Sequence, residues 1–195
     1  NSLVKMVNRV QNSARLNLPA TASSCQISSP YNRTISGDLF LKFDSGAYDA
    51  NRVIIFYSDI GLRSLCRSTQ IFADGTFDTV PRIFFQLYTI HGDVFGYTFP
   101  CVYVLCLRKT RVVYERIINH LMEASLTLNI TFSPETIMID FEMAAIMAFK
   151  NTLPNSTVKG CLFHFNQSLW RKIQQIGLSV RNRDRQNTDL QGLII

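Results

Sequence analysis

From Asp38 onward, apolar residues fall in short runs separated by turn formers, and the changing period of these runs defines the elements. Residues 39–43 and 53–57 are rich in strand formers. They are divided by Asp44, Ser45, Gly46, Asp49 and Asn51, which is turn chemistry. A short helix is expected over residues 59–68, with Ile60, Leu62, Leu65 and Cys66 available for burial. Three closely spaced strands follow at 70–77, 83–91 and 97–107, broken by Thr79-Val80-Pro81 and by Gly92-Asp93 with Gly96. Such short connections favour an antiparallel meander.

The period then changes to that of a helix. Val113, Ile117 and Leu121 recur every four residues, Ile118 and Met122 widen the stripe, and Thr110 is positioned to cap it. Residues 136–139 form a short apolar strand that ends on Asp140, and a helix over 143–150 stops before Pro154. A fifth strand is expected at 158–163 and a last helix at 166–175, finishing at Gly177. The order is three strands, helix, strand, helix, strand, helix. It predicts an α/β domain: a mixed sheet, three antiparallel strands and then alternating helix and strand, flanked by helices. This order matches a ribonuclease H-like core.

The same pass divides the chain. Residues 1–36 carry Asn, Ser, Ala, Thr and Pro without a sustained period, as a linker or tail does. Residues 37–68 hold the first strands and helix leading into the core, 69–178 the core itself, and 179–195 a divergent basic tail.

Composition narrows the class. Of 195 residues 47% are hydrophobic and 17% charged, below the usual ~25%, which excludes a disordered or highly solvated chain. Lys and Arg exceed Asp and Glu by 20 − 14 = 6, a sign that favours a polyanionic partner. Arg171, Lys172, Arg181, Arg183 and Arg185 crowd the last quarter, where they meet phosphates or simply solvate a helix and tail. Five cysteines, an odd number without framework spacing, fit reduced thiols in the cytosol or nucleus. The longest uncharged stretch, 97–107, is about half the ~20 residues of a membrane helix, so no membrane partner is expected.

The candidate chemistry rests on two aspartates. Asp74 interrupts the apolar strand Ile71-Phe72-Ala73-Asp74-Gly75-Thr76-Phe77, and Asp140 closes Ile137-Met138-Ile139. A carboxylate in such a place is costly unless a positive charge balances it, and a divalent cation would balance both. With the first and fourth core strands side by side, residues 140 − 74 = 66 apart would face each other. Two metals ~3.5–4 Å apart would then serve in-line displacement at phosphorus. The plainer alternatives are an Asp-Gly turn at Asp74 and a helix cap at Asp140. Asp78 and Asp93 read as turn residues, Glu142 as favourable charge in a first helical turn, and Trp170 as core.

Three blocks carry a family resemblance. Phe72-Ala73-Asp74-Gly75-Thr76-Phe77 with Pro81 and residues 84–92, then Ile137-Met138-Ile139-Asp140-Phe141-Glu142-Met143-Ala144-Ala145, then Gly160-Cys161-Leu162-Phe163-His164 through Lys172 occur in that order. The chain resembles the Mutator-like element transposases over about residues 38–178. The resemblance implies a ribonuclease H-like fold and an Asp-Asp-Glu triad using Mg2+ or Mn2+. It also implies cut-and-paste movement of DNA in the nucleus, after passage through the cytoplasm, with transposon ends and target as partners and a homo-oligomer as a possible assembly.

By motif, Asp74 and Asp140 take the two aspartate positions as catalytic residues and metal ligands. Cys161, His164, Arg171 and Lys172 are candidates for active-site or DNA contacts. The third carboxylate is absent: no glutamate follows His164, and Asp184 and Asp189 come too early in a divergent tail. The expectation is therefore a catalytic-core fragment, C-terminally truncated and inactive by itself. The alternative is a domesticated or decaying derivative that binds DNA or protein without cutting. Zinc is not expected, since Cys161 and His164 have no second ligand pair at matching spacing.

Overall fold

The three central apolar runs pair with one another in sequence. In the computed structural model, β3 (Gln70–Thr76), β4 (Gln86–Val94) and β5 (Tyr97–Cys106) form an antiparallel meander. The structure describes residues 19–76 and 80–178. The expectations for Asp78 and for the tail residues Arg181, Arg183, Asp184, Arg185 and Asp189 lie outside the described residues.

Two strands precede the meander, β1 (Leu41–Asp44) and β2 (Val53–Phe56), followed by helix α1 (Asp59–Arg67). After it come α2 (Arg111–Thr127), β6 (Thr136–Ile139), α3 (Met143–Thr152), β7 (Thr157–Gly160) and α4 (Leu162–Gln175). The seven strands among the described residues share one sheet in the order β1-β2-β5-β4-β3-β6-β7. β6 and β7 run parallel to β3, and the other neighbours are antiparallel. The protein is thus mixed α/β. Among the described residues no helix is long and apolar enough to cross a membrane.

One sheet face carries the main core. Leu62 and Leu65 of α1, Val113, Ile117, Ile118 and Leu121 of α2, and Ala145, Ala148 and Phe149 of α3 bury against Ile71, Ala73, Ile90, Val102, Val104, Ile137 and Ile139. A smaller cluster of Cys25, Ile54 and Phe84 gathers with Ala22, Ile27 and Leu105. Part of the stretch predicted as a linker therefore packs. Arg52 holds it: the guanidinium pairs with Asp44 at 2.5 Å and donates to the carbonyls of Cys25, at 3.0 Å, and Ala22.

Several element boundaries differ from the pattern reading, each for a local reason. The break expected at Gly92-Asp93 is continuous strand, because Gly92 lets α1 approach: a Cβ there would lie 2.5 Å from Ser68 Oγ. The turn falls instead at Phe95 and Gly96, both at positive φ, as a two-residue hairpin loop requires. Thr110 occupies the N-cap of α2 but makes no capping bond, its hydroxyl donating to Asn51 Oδ1 at 3.4 Å. The expected strand over 158–163 ends at Gly160. Leu162 and Phe163 open α4 and are 70% and 67% exposed, since a short apolar run does not by itself distinguish strand from helix.

Candidate active site

Strand alternation aims both aspartates the same way. In β3, Ile71 and Ala73 are buried while Phe72 and Asp74 are only partly covered. In β6, Ile137 and Ile139 are buried while Met138 and, just past the strand, Asp140 are not. The parallel register runs from Gln70↔Thr136 to Ala73↔Ile139, a constant offset of 139 − 73 = 66. The next step of that register is Asp74 opposite Asp140. The two carboxylates thus emerge from one face at the carboxyl ends of adjacent strands.

Each aspartate has a local partner. The Glu142 N–H donates to Asp140 Oδ1 at 3.1 Å, closing the turn from β6 into α3. His164 Nε2 lies 3.5 Å from Asp74 Oδ1, and His164 Nδ1 is buried without a hydrogen-bond partner. The Cys-x-x-His spacing accounts for that reach. Cys161 N–H donates to the Ile139 carbonyl at 2.7 Å and anchors the start of α4 beside β6, so the histidine three residues on reaches Asp74. Cys161 itself is part-exposed and spends its backbone, rather than its thiol, on the junction. Arg171 follows His164 by seven residues, on the same helical face, and with Lys172 is exposed. Trp170, expected in the core, is 42% exposed because α4 buries none of its residues.

A second histidine, inside the first family block, has no link to Asp74 in the sequence reading. His91 of β4 bonds Thr89 Oγ1 at 3.1 Å, and that hydroxyl donates to the Asp74 carbonyl at 3.4 Å. Burial pulls the His91 imidazole below its ordinary value, against the opposing pull of the Asp74 charge. No spacing rule pairs His91 with Asp74. Only the antiparallel register of β3 and β4 does so.

Behind the aspartates lies a buried polar group. Gln86 Nε2 donates to Tyr114 Oη at 2.6 Å, and Tyr114 O–H donates to Glu142 Oε1 at 2.9 Å. Glu142, read from sequence as a dipole charge, makes no side-chain cap and turns inward instead. Burial and, to a smaller extent, the Asp140 charge raise its carboxyl above the ordinary range, against the Tyr114 hydrogen bond and the Lys109 charge.

Gly160, at the end of β7, is another tight point. A Cβ there would lie 2.7 Å from the ring of Phe141, which is tilted by 56° against Phe165 with centroids 6.1 Å apart. Gly160→Ala is expected to cost about 1 kcal/mol, the low end for overpacking because the exposed Phe141 ring is free to turn aside. A thermal melt should show a fall in Tm of about 2–4 °C.

Among the described residues no group of three or more His, Cys, Asp or Glu is arranged to hold a metal ion. Two hard carboxylate oxygens on neighbouring strands do suit Mg2+, which takes one or two carboxylates and completes its shell with water and substrate phosphate.

The family model of the MULE transposase domain matches residues 70–168, just over half of the chain. The chain belongs to this family. The matched span of this MULE domain opens on the first residue of β3 and ends within α4, enclosing Asp74, Asp140, Cys161 and His164. Its function is accordingly transposase-related. Strands β1 and β2, helix α1, and Arg171 with Lys172 lie outside the match. No curated protein and no solved structure matches the chain.

Proposed function

We propose that this MULE domain is a ribonuclease H-like transposase core that binds DNA, with Asp74 and Asp140 as the ligands of Mg2+ or Mn2+. The observation that carries the reading is the offset of 66 between β3 and β6, which equals the separation of the two aspartates. The metal, when bound, would activate the attacking oxygen and stabilise the leaving one at phosphorus. The protein's part is placement. Asp74 is held on a paired strand, Asp140 is oriented by the Glu142 N–H, and His164 stands beside Asp74 within reach of a scissile strand. Arg171, on the His164 face of α4, and Lys172 would take the flanking phosphates, contacts that position DNA without reading its sequence. All five cysteines are free, which supports a reducing compartment, and we assign the domain to the nucleus.

Two carboxylates bind metal without completing an acid triad. No glutamate follows His164 in the chain, so it is expected to bind Mn2+ and DNA without turnover. A strand-transfer assay in Mn2+ checks this. Turnover that disappears in Asp74→Asn would show that the two aspartates suffice and overturn the inactivity. Calorimetric titration with Mn2+ tests the site itself, and the absence of binding to the wild-type chain would remove the basis of the reading.

A further inference from the structure

Asp74 and Asp140 sit on different strands, so their separation depends on whatever fixes one strand end against the other. Backbone pairing of β3 with β6 ends at Ala73↔Ile139, one residue short of both carboxylates. Beyond it, besides the start of α4 with His164 at Asp74 and the Cys161 N–H on Ile139, a second connection runs through the core. Gln86 of β4 is fully buried, and its carboxamide lies over Gly75, the neighbour of Asp74: a Cβ on Gly75 would be only 2.7 Å from Gln86 Oε1. The other end of that carboxamide donates to Tyr114, Tyr114 donates to Glu142, and the Glu142 N–H donates to Asp140 Oδ1. The chain of contacts therefore starts beside one aspartate and finishes on the other.

Two features mark this group as more than packing. Gln86 Oε1 and Tyr88 Oη are buried without hydrogen-bond partners in the same region. A core selected for stability alone would replace such groups with apolar ones, because an unsatisfied buried acceptor costs folding free energy. Glu142, in turn, starts α3 with its side chain spent on Tyr114 rather than on the free N–H groups of its own helix.

We propose that Gln86, Tyr114 and Glu142 form a positioning relay that sets the Asp140 carboxylate at its distance from Asp74 and so raises the affinity of the pair for a divalent cation. The inference rests on the reading of Asp74 and Asp140 as metal ligands. Glu142 and Tyr114 act through Asp140 and need not touch the metal. Loss of a group bonded directly to a ligand typically weakens metal binding about 10- to 100-fold, and the lower end applies to Tyr114 and the Glu142 side chain, which act through the Glu142 N–H on Asp140.

The test is Mn2+ affinity by calorimetry on the full chain, with folding followed by circular dichroism. Tyr114→Phe removes one oxygen from a buried ring and keeps its shape, and it is expected to weaken Mn2+ binding about tenfold. Glu142→Ala should do the same, while Glu142→Gln, whose amide oxygen still accepts from Tyr114, should recover most of the affinity. Leu65→Ala, a cavity change on α1 beside Gly92 and so at the opposite end of β4 from Gln86, supplies a control in which stability falls and affinity does not. Wild-type affinity in Tyr114→Phe, or equal losses in Glu142→Ala and Glu142→Gln, would overturn the relay and leave the acidic pair standing. A wild-type chain that binds no Mn2+ would overturn both.

Discussion

Asp140→Ala is expected to lose Mn2+ binding, with affinity falling by more than about 100-fold, since disturbing only an outer partner costs about 10- to 100-fold. The physical reason is coordination number. A cation held by two carboxylates keeps one after the substitution, and a single partly covered carboxylate does not compete with water for a well-hydrated divalent ion. The fold should survive. Asp140 lies just past β6 on a partly covered face, and its removal gives up the bond from the Glu142 N–H but relieves repulsion toward the half-buried Glu142, so the two effects offset. Calorimetry separates the outcomes: a vanished heat with an unchanged melting curve supports the site, whereas an unchanged heat places the metal elsewhere.

Asp44→Ala is expected to destabilise the protein by about 3 kcal/mol. The Arg52 guanidinium is 3% exposed and would be left buried without its counter-ion, an arrangement that costs roughly 3–5 kcal/mol. The lower end applies because Asp44 is 32% exposed and the carbonyls of Ala22 and Cys25 still accept from Arg52. Urea unfolding should show the midpoint falling at constant slope, and Tm should fall by roughly 6–12 °C at 2–4 °C per kcal/mol.

The pair also has a pH signature. Burial by itself raises Asp44, but hydrogen bonds from Arg52 and the Gly46 N–H, with the Arg52 charge, outweigh it and hold the carboxyl below its ordinary value. A depressed folded value means that the contribution is complete above the unfolded value of about 3.9 and disappears as pH falls through the folded one. Wild-type stability should drop in that acid window. The Asp44→Ala protein should lack this component of the drop.

Much of the layout was legible because period and punctuation are local. Short apolar runs broken by Gly, Asp and Pro announced β3, β4, β5 and β6, and the four-residue recurrence of Val113, Ile117 and Leu121 announced α2. The misplaced boundaries occur where a distant contact overrode a local signal. Gly92 reads as a turn until Ser68 is seen against it, and Leu162 reads as strand until the Cys161 N–H is seen anchoring a helix start on Ile139. The candidate site divides in the same way. Asp74 and Asp140 were visible as charges in apolar runs. His91, Gln86 and Tyr114 were not, because nothing in their own neighbourhoods distinguishes them from ordinary strand and helix positions.

By itself, then, the sequence determined the element order, the two out-of-place carboxylates and the family, all properties of neighbouring residues and of motifs in series. Tertiary structure alone decided that β1 and β2 extend the same sheet on β5, and that residues 22–27 are pinned by Arg52. It alone decided that Trp170 faces outward, and that Glu142 turns from the start of α3 toward Tyr114. Strand neighbours and side-chain partners are chosen by which surfaces meet once the core closes, and that choice depends on contacts between residues far apart in the chain.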